Sequence, residues 1–266
     1  MQTIADLRKF GRQVLGDALD ADILLMAAAG IGRTALLTQG DEIIRGDAEA
    51  EFRRLLDLRA QGMPVQYILG RTEFMSLEFI VNENVLIPRP DTEILVEAVL
   101  ERESGSRGLE IGTGSGCISI ALAHHGRNLQ LTAIDICPKA IDIARQNADK
   151  HRVGIDFIQM DIFASTPTGD FDFIVSNPPY IPTGDIAGLG ANVRDFEPRR
   201  ALDGGRDGLE FYRKIAKICN GRIYLEIGYN QGEDVCNILE DNRFANIDII
   251  KDYAGHNRVV IGKKES

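Results

Sequence analysis

An α/β fold built on a doubly wound sheet is what this chain predicts, on three observations. From Arg107 onward, apolar runs of strand length alternate with helical segments, the pattern of a parallel sheet covered on both faces. The first of these strands runs directly into Gly112-Thr113-Gly114-Ser115-Gly116, a turn in which backbone can approach a ligand closely. The later strands end in polar residues, Asp135, Asp161 and then Asn177, so the chemistry gathers at their carboxyl ends, where open α/β sheets bind ligands.

Ahead of the sheet, Ile4, Leu7, Phe10, Val14 and Leu15 follow helical spacing, as do Phe52, Leu55, Leu56 and Leu58. Shorter helices are predicted at Ala21 to Ala29, opening near Asp20, and around Thr34 to Thr38, with glycines between them. Residues 1–72 thus form a small helical bundle that carries no catalytic constellation. Its alternative roles are a stabilising cap or a docking surface for a partner. Residues 73–88 alternate apolar positions at Phe74, Leu77, Phe79, Val81, Val85 and Ile87, and Asn82-Glu83-Asn84 interrupts them as a turn would; a β-hairpin linker is expected.

The remaining domain, 89–266, opens with Arg89-Pro90-Asp91-Thr92-Glu93, in which the prolines hold Arg89 extended and Asp91 is a good N-cap for a helix to about Arg102. Strands follow at Leu109 to Ile111, Leu131 to Ile134, Phe157 to Met160 and Phe171 to Val175. The helices between them are Cys117 to Ala123 and Pro138 to about Lys150. After a long glycine-rich loop come a helix near Leu209 to Ile218, a strand at Arg222 to Ile227 and a helix at Glu233 to Leu239. Strands near Ile247 to Ile250 and Arg258 to Ile261 make an antiparallel hairpin at the C-terminal edge of the sheet.

Composition narrows the function. A formal charge of −10 and a pI near 5.0 give no overall basic field for nucleic acid, which argues against a duplex DNA substrate. Cys117, Cys137, Cys219 and Cys236 are widely spaced and form no Cys-x-x-Cys pair, so neither a zinc site nor a disulfide framework is indicated, and no metal is expected. Met1 to Phe10 has no apolar signal-peptide core, and Ile23 to Ile31 is too short for the ~20 residues that cross a bilayer; a soluble cytoplasmic protein is expected.

The chemistry centres on Asn177-Pro178-Pro179-Tyr180. Two prolines force a stiff extended exit from the strand, which fixes the Asn177 side-chain oxygen and the Pro178 carbonyl as two acceptors. Together they suit a planar NH2 group, with Tyr180 as an aromatic face against it. Such a nitrogen is a poor nucleophile, because its lone pair is delocalised, and hydrogen bonds to both N–H groups favour a more electron-rich, tetrahedral form. An acid about 20 residues beyond a glycine loop can hydrogen-bond a ribose diol, and Asp135 meets that description.

The tetrapeptide resembles the Asn-Pro-Pro-Tyr motif of S-adenosylmethionine-dependent methyltransferases. With Gln66 to Gly70, Leu86 to Glu93, Glu110 to Gly116 and Val193 to Pro198, the chain resembles, over essentially its full length, the peptide chain release factor N(5)-glutamine methyltransferases, the PrmC/HemK family. Pro88-Arg89-Pro90-Asp91-Thr92-Glu93 is the most discriminating of these segments. The resemblance implies a seven-stranded class I methyltransferase domain behind a helical N-terminal domain. It implies methylation of the glutamine in the Gly-Gly-Gln motif of class 1 release factors, with S-adenosylmethionine as donor and S-adenosylhomocysteine as product. By the same resemblance Gly112, Thr113, Gly114, Ser115, Gly116, Asp135, Asp161, Ile162 and Asn177 bind the cofactor, and Ile162 stands where the family often has an aromatic residue beside the adenine. Asn177, Pro178, Pro179 and Tyr180 hold the substrate, with Asn177, Pro178 and Tyr180 catalytic. The working form is expected to be a monomer that contacts no nucleic acid directly and no membrane. Two alternatives are a DNA adenine amino-methyltransferase, which would need a basic recognition region, and a non-catalytic nucleotide-binding module, which leaves Asn177 to Tyr180 unexplained.

Overall fold

In the computed structural model, which describes residues 2–265, the chain divides into two compact units that are not consecutive stretches of sequence. One comprises Met1–Gly70 with Gly190–Phe196; the other comprises Arg71–Leu189 with Glu197–Ser266.

The first unit holds α1 (Ile4–Leu15), α2 (Ala18–Ala29), α3 (Arg33–Thr38), α4 (Gly46–Ala60) and α5 (Val65–Leu69). Thr3 and Asp6 form a capping box at the start of α1, and Asp17 caps α2 through the amides of Leu19 and Asp20. Ile4, Leu7, Leu24, Leu25, Phe52 and Leu56 make its core, and burying a ring such as Phe52 stabilises it by roughly 2–3 kcal/mol. Val14, assigned to the apolar face by its spacing, is exposed. α5 was not predicted; Pro64 precedes it, and Gly70 ends it in the left-handed conformation. A short helix, numbered α9 by chain order (Ala191–Arg194), lies in the returning segment of this unit, where the Phe196 ring packs on Gly62.

The second unit begins with β1 (Arg71–Phe74) and β2 (Leu77–Ile80), a hairpin as expected but with its turn elsewhere. Met75 and Ser76 form the two-residue loop, both at positive φ (50° and 61°). Neither residue favours that conformation. The Glu93 carboxylate accepts the Met75 amide at 2.7 Å and a His125 ring nitrogen lies 3.1 Å from the Met75 carbonyl, so tertiary contacts hold the turn. Asn82 to Asn84 is a separate turn, closed by the Val85 amide on the Asn82 carbonyl.

Then follow α6 (Glu93–Arg102), β3 (Arg107–Ile111), α7 (Cys117–His125), β4 (Gln130–Asp135), α8 (Pro138–His151), β5 (Asp156–Gln159) and β6 (Phe173–Ser176). The chain continues with α10 (Glu210–Ile218), β7 (Arg222–Glu226), α11 (Gly232–Asp241), β8 (Phe244–Lys251) and β9 (Asn257–Lys264). Asp91 does not cap α6: Pro90 to Thr92 form a single 3-10 turn, and the Asp91 carboxylate pairs with Arg258 at 3.1 Å instead. Among the described residues the main sheet has seven strands in the order β5-β4-β3-β6-β7-β9-β8, parallel except at β9, which runs antiparallel to both its neighbours.

Strand alternation divides the core. Phe173, Val175, Tyr224, Val259 and Ile261 face α6 and α7, whereas Ile174, Ile223, Leu225 and Val260 face α10 and α11. From β3 the chain winds outward through β4 to β5 and then returns to place β6 on the other side of β3. The carboxyl ends of β3 and β6 therefore flank the point where strand order reverses, the place where such sheets open a crevice.

Candidate active site

Gly112, Gly114 and Gly116 all adopt positive φ (75°, 54° and 81°), which L side chains resist, and their loop folds back over the end of β4. The amides of Gly112 and Thr113 donate to the Ile134 carbonyl at 2.9 and 3.0 Å. The Gly114 amide donates to Asp135 Oδ2 at 2.9 Å. Beneath the loop, fully buried Glu110 accepts the Thr113 hydroxyl at 2.6 Å and the Ser119 amide at 3.2 Å. Burial pushes the Glu110 carboxyl up to about 7.

The loop opens on a cleft that the carboxyl ends of β3, β4 and β6 border through Ile111, Asp135 and Ser176. Gly112, Gly114, Asp135, Asp161, Ile162, Asn177, Pro178 and Pro179 line it, so the expected cofactor and substrate residues meet along one wall. Thr113, Ser115 and Gly116 do not: Thr113 is committed to Glu110, Ser115 is buried, and Gly116 starts α7 with no room for a side chain between Ile120 and Ala144. Their part is to shape the loop. Tyr180 also lies outside the lining; its ring packs against the core on the α10 side, and burial pushes its hydroxyl up to about 12.

Asp135 sits at the end of β4 with Oδ1 accepting the Cys137 amide at 2.8 Å. Burial raises its pKa, against those two backbone donors and the facing Arg200 guanidinium, which lower it. Asp161 lies two residues beyond β5, where Oδ1 accepts the Phe163 amide at 2.8 Å. Ile162 is buried, and the aromatic character expected at its position is found one residue later. Phe163 is half exposed in the cleft wall, edge-on to Phe211 at 5.1 Å. With Ile136, also exposed there, it offers apolar flanks to a flat heterocycle. Neither Ile136 nor Phe211 was singled out from sequence, although a bulky apolar residue directly after the strand-end Asp135 was a readable signal.

Asn177 stands at the cleft just after β6, and Ser176 anchors this end of the strand by donating to the Ile111 carbonyl at 2.7 Å. Asn177 Nδ2 donates to Thr92 Oγ1 at 3.2 Å, while its Oδ1 makes no hydrogen bond among the described residues. The carbonyl of Tyr180 accepts from Gln231 Nε2 at 3.0 Å, and Gly208 packs so closely on that carbonyl that a Cβ would lie 2.3 Å from it. A motif with two prolines is thus fixed from behind as well. Two motifs distant in sequence also meet: Arg89 donates to the buried Glu197 at 2.5 Å. Thr92, Glu197, Glu226 and Gln231 were not assigned roles from sequence. Among the described residues no group of three His, Cys, Asp or Glu side chains is placed to hold a metal ion, and no helix is long and apolar enough to cross a membrane.

These features fit adenosylmethionine. Backbone at Gly112 and Gly114 faces open space, a carboxylate stands at a strand end, and apolar flanks border it. Asn177 Oδ1 stands at the same cleft as an acceptor without a partner among the described residues.

Two family models match the chain, "Methyltransferase small domain" over residues 89–188 and "PrmC N-terminal domain" over residues 3–70. A release factor glutamine methyltransferase of Geobacter sulfurreducens is 41% identical over 254 residues, covering 92% of this chain and 89% of that protein. Another from Moorella thermoacetica is 40% identical over 272 residues, covering 93% and 96% respectively. Among solved structures, the E. cuniculi Mtq2-Trm112 complex matches with a TM-score of 0.52 at 22% identity, over 68% of this chain and 99% of that chain, which is a likeness of fold.

Proposed function

Because the chain belongs to the release factor glutamine methyltransferase family, we propose that Asn177 Oδ1 and the Pro178 carbonyl clamp a glutamine side-chain amide while its nitrogen is methylated. The enzyme transfers a methyl group from S-adenosylmethionine to the glutamine of the Gly-Gly-Gln motif in class 1 release factors. The observation that carries the clamp is the Asn177 amide itself, with its nitrogen tied to Thr92 and its oxygen left without a partner at the cleft.

Adenosylmethionine supplies an electrophilic methyl group on a sulfonium. Gly112 and Gly114 would hold its amino acid portion through backbone, Asp135 its ribose, and Ile136, Ile162 and Phe163 its adenine. The protein's own contribution is positional and electrostatic. Two acceptors on the amide N–H groups increase electron density on nitrogen and aim its lone pair. The methylated nitrogen is acidic enough to release its proton to water or a neighbouring group.

The helical domain, residues 1–72, docks the body of the release factor on this reading, because a glutamine on an exposed loop offers few contacts and specificity needs surface elsewhere. The protein acts in the cytoplasm, as a monomer, on a protein substrate.

Asn177→Ala tests the clamp. Turnover should fall about a hundredfold or more, the usual loss when an aligned polar group leaves an active site, while calorimetric affinity for adenosylhomocysteine stays within about twofold. Full turnover in this variant would remove Asn177 from the chemistry.

A further inference from the structure

Asn177 to Tyr180 leaves β6 as a loop, and a loop presents two acceptors to one small amide only if both of its ends are held. The near end is anchored through Ser176. Beyond the far end the chain pairs with a second loop: the Ile181 amide donates to the Leu202 carbonyl at 3.0 Å, and the Ile181 carbonyl accepts the Gly204 amide at 2.8 Å. The Tyr180 carbonyl, at the far end itself, is taken by one buried side chain, Gln231, whose Nε2 donates to it at 3.0 Å.

We propose that Gln231 is a positioning residue for methyl transfer: by holding the Tyr180 carbonyl it sets where the Pro178 carbonyl points. The role rests on the clamp reading above and adds to it a residue that does not line the cleft.

Three observations carry it. First, the Gln231 amide has one workable orientation. Its Oε1 accepts the Gly228 amide at 3.0 Å, a group that can only donate, while its Nε2 faces the Tyr180 and Gly208 carbonyls at 3.0 and 3.3 Å, groups that can only accept. Second, the side chain is diverted from its local use. Gln231 is the N-cap of α11, where a Ser, Thr, Asp or Asn side chain would bond the first helix amides; it makes no such bond and turns inward, 7% exposed. Third, the backbone is shaped to admit this contact. A Cβ on Gly208 would lie 2.3 Å from the Tyr180 carbonyl oxygen and 2.8 Å from Gln231 Nε2, and one on Gly204 would lie 2.7 Å from the Pro179 carbonyl oxygen. Proline rings fix φ at 178 and 179, so few torsions separate Asn177 from Tyr180, and a carbonyl pinned at Tyr180 leaves the Pro178 carbonyl little freedom to turn.

The test uses the full-length enzyme with intact release factor and compares Gln231→Glu, Gln231→Met and Asn177→Ala, with kcat read from about pH 6 to about pH 9 as a ratio to the unsubstituted enzyme, a range that covers the raised pKa of a buried carboxyl. Circular dichroism and adenosylhomocysteine affinity check that each is folded. In Gln231→Glu an ionised carboxyl still accepts from Gly228 but repels the two carbonyls, so at the alkaline end kcat should be lower by about tenfold or more. Protonated, the same carboxyl donates to Tyr180 as the amide does, and most of that loss should be recovered at the acid end, with adenosylhomocysteine affinity unchanged throughout. The Tyr212 hydroxyl, 3.5 Å from Oε1, stays protonated over this range because burial raises it, and the titration of Glu226 is shared with the unsubstituted enzyme. Gln231→Met removes donor and acceptor alike and should show the same loss at every pH, which separates recovery by protonation from a general effect of pH on a loosened loop. If Gln231→Glu does not fold, Gln231→Met decides: a loss confined to kcat supports the role, and an unchanged kcat or an equal loss of cofactor affinity overturns it. An unchanged kcat in Gln231→Glu, or a loss with no recovery at the acid end, overturns the proposal while a slow Asn177→Ala leaves the clamp standing. If Asn177→Ala itself keeps full turnover, the clamp reading fails and the positioning role goes with it.

Discussion

At the scale of the residue, two carboxylates set what pH should do. Burial pushes Glu226 up to about 7, with Thr92, Arg258 and Arg89 opposing the rise and Asp91 adding to it; the Tyr180 and Tyr212 phenols also face it. Glu110 is raised to about 7 as well, but it lies under the glycine loop, so its protonation should show in the cofactor KM. Stability follows from linkage. Carboxyls whose folded pKa exceeds the ordinary 4.5 take up protons on folding, so the stability these two contribute is full below about 4.5 and is lost as pH rises toward 7. Asp135→Ala should weaken adenosylhomocysteine binding, measured by calorimetry, and also lower stability by roughly 1–3 kcal/mol, because the Gly114 and Cys137 amides lose their acceptor. Asn177 and Asp135 were legible in the sequence because their neighbours, two prolines and a strand end, dictate local geometry. The contact of Asn177 with Thr92 was not, because the two lie 85 positions apart and only the folded chain brings them together.

At the scale of the element, the hairpin is tied to the cofactor loop by one buried side chain. Asn147 in α8 accepts the Ile80 amide at 2.7 Å and donates to the carbonyls of Ile80 and Ser115 at 3.0 and 2.9 Å, standing in for a neighbouring strand at the end of β2. Asn147→Ala would leave these groups buried without partners. A loss of about 2–4 kcal/mol follows, seen as a fall in Tm of roughly 5–10 °C, together with weaker adenosylhomocysteine binding as the Ser115 carbonyl comes loose. An unchanged Tm would show that the carbonyls find other donors. Elements were read well where local pattern decided them, as in β3, β4 and α8. They were misread where distant contacts decided them: Met75 and Ser76 turn because Glu93 and His125 hold them, and Asp91 leaves its capping position for Arg258.

At the scale of the whole molecule, the proposed docking role of the helical domain can be tested on its exposed apolar residues. Leu19, Leu37 and Ile43 are exposed large apolar residues of that unit, and none of them is needed for its core. Replacing all three with Asp should raise the KM for intact release factor at least tenfold and leave methylation of a short Gly-Gly-Gln peptide unchanged. Equal kinetics on intact factor would return the domain to a stabilising cap. Substitution is cleaner than deletion, because Gly190–Phe196 packs within this unit and removing residues 1–70 would strip Phe196 of Gly62. The central claim is that Asn177 and Pro178 deliver one amide nitrogen to a methyl donor. Mass-spectrometric mapping of an intact class 1 release factor after incubation with methyl-labelled adenosylmethionine tests it most directly. One methyl group on the side-chain nitrogen of the Gly-Gly-Gln glutamine, absent when the enzyme carries Asn177→Ala, is the predicted result; label on another residue, or on that glutamine with Asn177→Ala at the full rate, would contradict it.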